Sequence, residues 1–96
     1  MMKRSAMLIN VARGAVVDEK AIAEAIINER IAGFATDVYS VEPLQSDSPF
    51  TALLGRDNVI FTPHMAWGSF EARTRCLSEI CKNIKAFFAG NPRNLL

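Results

Sequence analysis

The sequence predicts an α/β fold, namely a partial doubly wound domain with about three parallel strands and two main helices. Three short apolar runs have the length of buried strands. Two other segments repeat apolar residues at three- and four-residue steps, as amphipathic helices do. The order is strand, helix, strand, loop, strand, helix. The first three elements form one βαβ unit, whose crossover makes the sheet parallel.

The first βαβ unit begins with an apolar run at residues 6–11, which suits a strand buried on both faces. Gly14 follows it and permits a tight turn or a close approach of another backbone segment. Asp18 is a plausible N-cap of the first helix. We expect this helix to end near residues 31–33, with Gly33 as its C-cap.

The second strand is predicted at residues 34–38 and the third at residues 58–62, where Pro63 stops it. Residues 39–58 between them are rich in proline, serine and aspartate, which predicts a loop with one helical turn near residues 51–54. A loop of this length inside a small domain usually carries function.

The last helix is predicted from Ser69, which can cap it, to about Phe88. Cys76 and Cys81 lie five residues apart on this helix, so their side chains point in different directions. We expect buried or half-buried reduced thiols rather than a disulfide. Their spacing does not predict a metal site, and we expect no bound metal.

Composition restricts the class of protein. The 96 residues suit one small domain, and 50% hydrophobic with 22% charged residues is typical of a globular chain. A net charge of +1 with no basic run argues against a nucleic-acid partner. The chain has no apolar run of about 18–20 residues that could span a membrane. The apolar segment after Met1–Arg4 is too short for a signal peptide, so we expect a soluble, cytoplasmic protein with no membrane partner.

Four polar residues follow the predicted strands. Arg13 comes after the first strand, Asp37 lies at the end of the second, Glu42 is five residues further on, and His64 follows the third. The carboxyl ends of parallel strands meet at one edge of a sheet, which is where open α/β sheets bind ligands. We therefore expect these residues to converge.

Their chemistry suits a small 2-oxo or 2-hydroxy acid. An arginine holds a carboxylate through two parallel hydrogen bonds, and a histidine exchanges a proton near neutral pH. A glutamate bonded to that histidine fixes its tautomer and favours the protonated ring. Taken singly, each residue also has an ordinary explanation: a solvated arginine, a structural histidine, a loop glutamate or a capping aspartate.

Three blocks of sequence resemble the signature of the D-isomer-specific 2-hydroxyacid dehydrogenases. They are Leu-Ile-Asn-Val-Ala-Arg-Gly-Ala-Val-Val-Asp at 8–18, Ala-Thr-Asp-Val with Glu-Pro-Leu at 35–44, and Asn-Val-Ile-Phe-Thr-Pro-His at 58–64. Their order and spacing match the family, and the resemblance covers roughly residues 5–90. Residues 63–73 look most like the glycerate dehydrogenase (hydroxypyruvate reductase) branch.

The resemblance implies a Rossmann domain and hydride transfer between NAD(H) and a small 2-hydroxy or 2-oxo acid. By this resemblance Arg13 binds the substrate carboxylate, His64 is the acid/base, and Glu42 pairs with His64. The resemblance also implies NAD as cofactor, with NADP still possible. The residues that would line the nicotinamide end are Val11, Ala12, Arg13, Asp37, His64, Trp67 and Gly68.

The sequence departs from the family pattern in length and in its glycines. It contains no Gly-x-Gly-x-x-Gly turn for a pyrophosphate and no selector residue for the adenine ribose. We therefore expect residues 1–96 to be the C-terminal half of an NAD-binding domain, without a substrate domain and inactive in isolation. Its expected partner is the remainder of the enzyme or a second copy, giving a homodimer through the edge of the first strand or through the last helix.

Two other interpretations remain open. One is a non-catalytic binding or self-associating scaffold module of the same fold. The other is a small independent α/β domain that only resembles the family. The presence of Arg13, Glu42 and His64 together disfavours a scaffold, which has no use for them.

Overall fold

A computed structural model describes residues 2–95, which fall into two compact units divided between Ala66 and Trp67. The first unit contains strand β1 (Met7–Asn10), helix α1 (Glu19–Ile27), strand β2 (Gly33–Thr36) and strand β3 (Val59–Phe61). The strands form one parallel sheet in the order β1-β2-β3. The second unit contains helix α2 (Phe70–Phe88). The predicted parallel α/β fold is thus confirmed.

The core of the first unit lies on the face of the sheet that packs with α1. Leu8, Phe34 and Val59 are side by side on the three strands. The fully buried Phe34 packs at 5.1 Å, between ring centroids, on Phe50 of a 3₁₀ helix spanning Pro49–Leu53. Helix α1 contributes Ile26 to the same cluster. This 3₁₀ helix is the helical turn predicted within the long loop.

The opposite face of the sheet is apolar and exposed. Met7 and Ile9 of β1 are 68% and 66% exposed, and Ile60 of β3 is 61% exposed. The prediction that β1 is buried on both faces is therefore wrong for the described chain. Alternate side chains of a strand point to opposite faces, and α1 contributes to the core on only one of them.

Gly14 begins a short 3₁₀ helix, Gly14–Val16, that follows β1. A Cβ at this position would overlap the backbone of Tyr39 and Ser40. The predicted close approach of backbone segments at Gly14 is confirmed, and it places the end of β1 against the loop that follows β2.

Helix α1 begins as predicted, with the Asp18 side chain accepting a hydrogen bond of 2.9 Å from the Ala21 amide. It ends earlier than predicted, at Ile27. The amide of Arg30 donates to the Ala25 carbonyl at 2.8 Å, and Glu29 takes the left-handed backbone conformation with φ 52°. This Schellman motif normally uses glycine.

Gly33 is the first residue of β2, so its predicted role as the helix C-cap is wrong. A Cβ at Gly33 would lie 3.0 Å from the Asn58 carbonyl oxygen and 3.2 Å from the Met7 side chain. The glycine therefore permits close packing between strands rather than a helix end.

Helix α2 has the predicted bounds. Ser69 caps its first turn by accepting a hydrogen bond of 3.1 Å from the Ala72 amide, and Gly90 ends it with φ 74°. The tail folds back, and Arg93 forms a 2.7 Å ion pair with Glu79. None of the helices within residues 2–95 is long and apolar enough to cross a membrane.

No residue of α2 is buried. Cys76 and Cys81 are free thiols, as predicted, but both are exposed, which corrects the expectation of buried or half-buried side chains. The large apolar residues of α2 that are exposed are Phe70, Leu77, Ile80, Ile84, Phe87 and Phe88.

Candidate active site

Glu42 and His64 form a hydrogen-bonded pair beside the carboxyl edge of the sheet. Glu42 Oε2 lies 2.7 Å from His64 Nδ1, and the two side chains are 38% and 41% exposed. The hydrogen bond to His64, then the amide of Tyr39 at 3.1 Å, hold the pKa of Glu42 below its usual 4.5. The carboxylate is therefore ionised at neutral pH and can only accept, so Nδ1 carries the proton of this bond.

The backbone at His64 is held by a buried carboxylate. Asp37, which is 3% exposed, accepts hydrogen bonds from Thr62 Oγ1 at 2.5 Å and from the amides of Met65 at 2.9 Å and Ala66 at 2.8 Å. The bond from Thr62, the largest of these influences, lowers the pKa of Asp37 below 3.8. His64 itself has φ 53°, a left-handed conformation that few non-glycine residues adopt. Asp37 therefore caps the turn that carries the histidine.

Arg13 lies just beyond β1, with an exposed side chain that donates from Nη1 to the Ala12 carbonyl at 2.7 Å. Its positive charge contributes to the lowered pKa of Glu42. The turn that presents it is fixed by the buried Asn10, whose amide nitrogen donates to the Arg13 carbonyl at 2.9 Å. The Asn10 side-chain oxygen in turn accepts from the Ala12 amide at 3.1 Å.

The structure therefore brings Glu42, His64 and Asp37 together as predicted, with Arg13 near enough for its charge to act on Glu42. Trp67 and Gly68 precede α2 in the second unit. Val11 and Ala12 are exposed at the end of β1.

The long loop is anchored by a residue that the sequence analysis did not single out. Glu19, in the first turn of α1, accepts hydrogen bonds from the Ser40 amide at 2.8 Å and from the Ser48 hydroxyl at 2.9 Å. One carboxylate thus holds both sides of the loop that carries Glu42. Only its place next to the capping Asp18 could have drawn attention to it.

Two pockets lie beside Glu42, His64 and Asp37. A cavity of 620 Å³ opens beside the pair and has mainly apolar walls; it is lined by Tyr39, Glu42, Pro43, Leu44, Phe61, Thr62, Pro63 and His64. A groove of 80 Å³ runs on the exposed face of the sheet; it is lined by Ile9, Val11, Ala35, Thr36, Asp37, Ile60, Thr62 and Ala66. Nowhere in residues 2–95 do three His, Cys, Asp or Glu side chains come together as a metal would require.

Comparison with known proteins shows that the chain is similar in sequence to dehydrogenases. Residues 1–66 match the family model described as "D-isomer specific 2-hydroxyacid dehydrogenase, NAD binding domain". The chain is 42% identical over 95 residues to a glycerate dehydrogenase of Methylorubrum extorquens, covering 99% of this chain and 30% of that protein. It is 43% identical over 96 residues to a glyoxylate reductase of Korarchaeum cryptofilum, covering 99% of this chain and 28% of that protein.

A solved structure gives the same result for the fold. The D-isomer specific 2-hydroxyacid dehydrogenase of Xanthobacter autotrophicus Py2, in complex with NADPH and MES, superposes with a TM-score of 0.72 at 41% identity, covering 95% of this chain and 36% of that one. The chain thus spans about a third or less of the length of these proteins. Since the family model covers more than half of the chain, this protein belongs to the NAD-binding-domain family of the D-isomer specific 2-hydroxyacid dehydrogenases.

Proposed function

We propose that this chain supplies the proton-transfer and carboxylate-binding groups of an NAD-dependent dehydrogenase for small 2-hydroxy and 2-oxo acids of the glycerate/hydroxypyruvate type. The observation that carries the proposal is the 2.7 Å contact between Glu42 and His64 beside the carboxyl edge of a parallel sheet. The charge of Arg13 acts on Glu42 as well. Glutamate pairing leaves a histidine oriented and able to exchange a proton near neutral pH.

In this mechanism His64 is the acid/base. With Nδ1 directed at Glu42, Nε2 is the ring nitrogen that gives a proton to the carbonyl oxygen of the 2-oxo acid, or takes it from the hydroxyl in the reverse direction. The ionised Glu42 accepts the Nδ1 proton and so fixes the tautomer and the orientation of the ring, as an aspartate does in a catalytic triad.

Arg13 binds the carboxylate of the substrate. A guanidinium presents two parallel N–H groups that match the two carboxylate oxygens, and this fixes the orientation of the neighbouring carbon. The Asn10 side chain hydrogen-bonds to the Ala12 amide and the Arg13 carbonyl. These bonds fix the backbone of the turn from which the Arg13 side chain extends.

The residues present fit the nicotinamide end of the cofactor. The groove floor formed by Ile9, Val11 and Ala35 is apolar and suits a flat aromatic ring. The cofactor-binding residues of the proposal within the first unit are Val11, Ala12, Arg13, Asp37 and His64, and the assignment of Trp67 and Gly68 stays a prediction from the sequence. NAD(H) supplies or accepts the hydride when it is bound. The proposal names NAD and leaves NADP open, because the sequence holds no Gly-x-Gly-x-x-Gly turn or ribose selector.

The same proposal places residues 1–96 in the C-terminal half of an NAD-binding domain that works with a separate substrate domain. The 28–30% coverage of the curated relatives supports this. The exposed free thiols of Cys76 and Cys81 favour a reducing compartment such as the cytoplasm. The apolar sheet face and the apolar residues of α2 favour association with the rest of the enzyme or with a second copy.

The test is a chimera in which this chain replaces the matching segment of the Methylorubrum extorquens glycerate dehydrogenase. We expect NADH-dependent reduction of hydroxypyruvate by the chimera. His64→Gln should lower kcat by about 10²- to 10⁴-fold, the usual contribution of a positioned acid/base. Arg13→Gln should raise KM by roughly 10- to 100-fold, as the loss of a charged hydrogen bond does.

Arg30→Gln is the matched control, because Arg30 is an exposed arginine that follows α1 and has no part in the proposed site. A folded chimera that is inactive, or one whose rate does not change with His64→Gln, would contradict the proposal. The first of these results would favour the scaffold alternative.

A further inference from the structure

Tyr39 lies two residues beyond the buried Asp37. It contacts Glu42 and also the segment of chain that leads to His64. Its amide donates a hydrogen bond of 3.1 Å to Glu42 Oε1. Its hydroxyl donates a hydrogen bond of 2.8 Å to the carbonyl of Thr62, which precedes His64 by two residues. One residue thus touches the glutamate directly and the end of the strand that leads to the histidine.

The tyrosine is itself held on several sides. Its ring packs against Phe61 with 6.3 Å between centroids, and Phe61 belongs to β3. Its carbonyl group and the next amide lie against Gly14, where a Cβ has no room. Because the ring, the hydroxyl and the backbone are each in contact, Tyr39 has little freedom to move independently of β3.

The phenol remains a donor at neutral pH. Partial burial, followed by the nearby charges of Asp37 and Glu42, raises the pKa of Tyr39 above its usual 10.0. The Thr62 carbonyl therefore keeps its hydrogen bond across the range in which a dehydrogenase works.

We propose that Tyr39 is a positioning residue that sets the distance between Glu42 and His64, fixing the glutamate through its amide and the histidine's strand through its hydroxyl. This inference rests on the proposed function, because it matters only if the pair moves protons. In this role Tyr39 acts through the positions of Glu42 and His64 and takes no proton itself. Its effect is to keep the carboxylate and the imidazole in hydrogen-bonding register.

The test is Tyr39→Phe, which removes one oxygen and keeps the ring against Phe61. The chain has a single histidine, so ¹⁵N labelling of histidine reports on His64 alone. In the native chain we expect the neutral ring to favour the Nδ1–H tautomer because that proton is bonded to Glu42. In the variant Glu42 and His64 should move out of register, so that the Nδ1–H bond to Glu42 is lost. The ratio of the Nδ1–H to the Nε2–H tautomer should then fall about five-fold, as the loss of one typical intramolecular hydrogen bond implies.

Thr51→Val is the matched control, since it also removes a hydroxyl that donates to a backbone carbonyl, that of Ser48, at 2.7 Å. It should leave the tautomer ratio unchanged. An unchanged ratio in folded Tyr39→Phe, or an equal fall in Thr51→Val, would overturn the positioning role.

In the glycerate dehydrogenase chimera, Tyr39→Phe should lower kcat by about five-fold and leave KM unchanged, because the substrate carboxylate is bound elsewhere. A fall in kcat/KM that is due to KM alone would count against the proposal. A chimera without activity would refute the proposed function while leaving the tautomer measurement on the chain intact, so the two failures are distinguishable.

Discussion

Asp37 shows how one buried side chain shapes the candidate site. From position alone it could be assigned to the cofactor or to a cap, and the structure shows both of its oxygens accepting hydrogen bonds from the segment around His64. The convergence of Arg13, Glu42 and His64 could be predicted because it follows from parallel topology. A cap is one of two roles that the position of Asp37 leaves open, and nothing in the sequence indicates the links made by Tyr39, since both depend on side-chain rotamers rather than on spacing.

Asp37 also makes a prediction about pH. Its pKa is lowered in the fold below the unfolded value of 3.8, so its stabilising effect is complete above that value and is lost as the pH falls through the lower folded-state pKa. Asp37→Asn should therefore lower the urea midpoint of unfolding at pH 7, and the difference from the native chain should shrink below about pH 3.8. The measurement is urea unfolding of both proteins at several pH values.

The lowered pKa of Glu79 is due to Lys82 and then Arg93, which the substitution leaves in place, so taking the difference removes the contribution of Glu79. A difference in midpoint that stays constant down to pH 2 would show that the ionised form of Asp37 is not what holds the turn.

At the scale of elements, the two helices end in the same way with different residues. Helix α2 ends at Gly90 with φ 74°, which the sequence indicates because glycine favours that conformation. Helix α1 ends through Glu29 with φ 52°, and glutamate gives no such signal. The periodicity of apolar residues therefore predicts both helices, but it places the end of α1 several residues too late.

The unusual helix end predicts a stabilising substitution. A side chain in the left-handed conformation costs about 1–2 kcal/mol relative to glycine. Glu29→Gly should thus raise the free energy of unfolding by about 1 kcal/mol over Glu29→Ala, which removes the carboxylate but keeps the Cβ. Chemical denaturation of the two variants measures this difference. Equal stabilities would mean that the backbone at residue 29 relaxes without strain.

At the scale of the molecule, the exposed apolar surfaces are the main feature. Met7, Ile9 and Ile60 form one on the sheet, and the apolar residues of α2 form another. The sequence predicts association through the last helix, where apolar residues are indeed exposed, but its prediction of a β1 buried on both faces is wrong. Short apolar runs do not reveal which face of a strand a given chain covers.

These surfaces, with β1 at an open edge of the sheet, predict self-association of the isolated chain. Sedimentation at high micromolar concentration should give species larger than a monomer. Ile84→Lys, on α2, and Ile9→Lys, on the sheet, distinguish the two routes, because the lysine should dissociate only the route that uses its surface. A native chain that sediments as a monomer would contradict the prediction.

We propose that this chain carries the acid/base and carboxylate-binding side chains of a 2-hydroxyacid dehydrogenase together with only the nicotinamide end of a cofactor site. The most direct test is titration of NADH into the purified 96-residue chain, following nicotinamide fluorescence, with hydroxypyruvate or glyoxylate present. We expect a folded protein with no saturable binding at millimolar NADH and no turnover. Saturable binding with turnover would contradict the claim, because it would mean that the chain builds a complete site by itself or with its own copies.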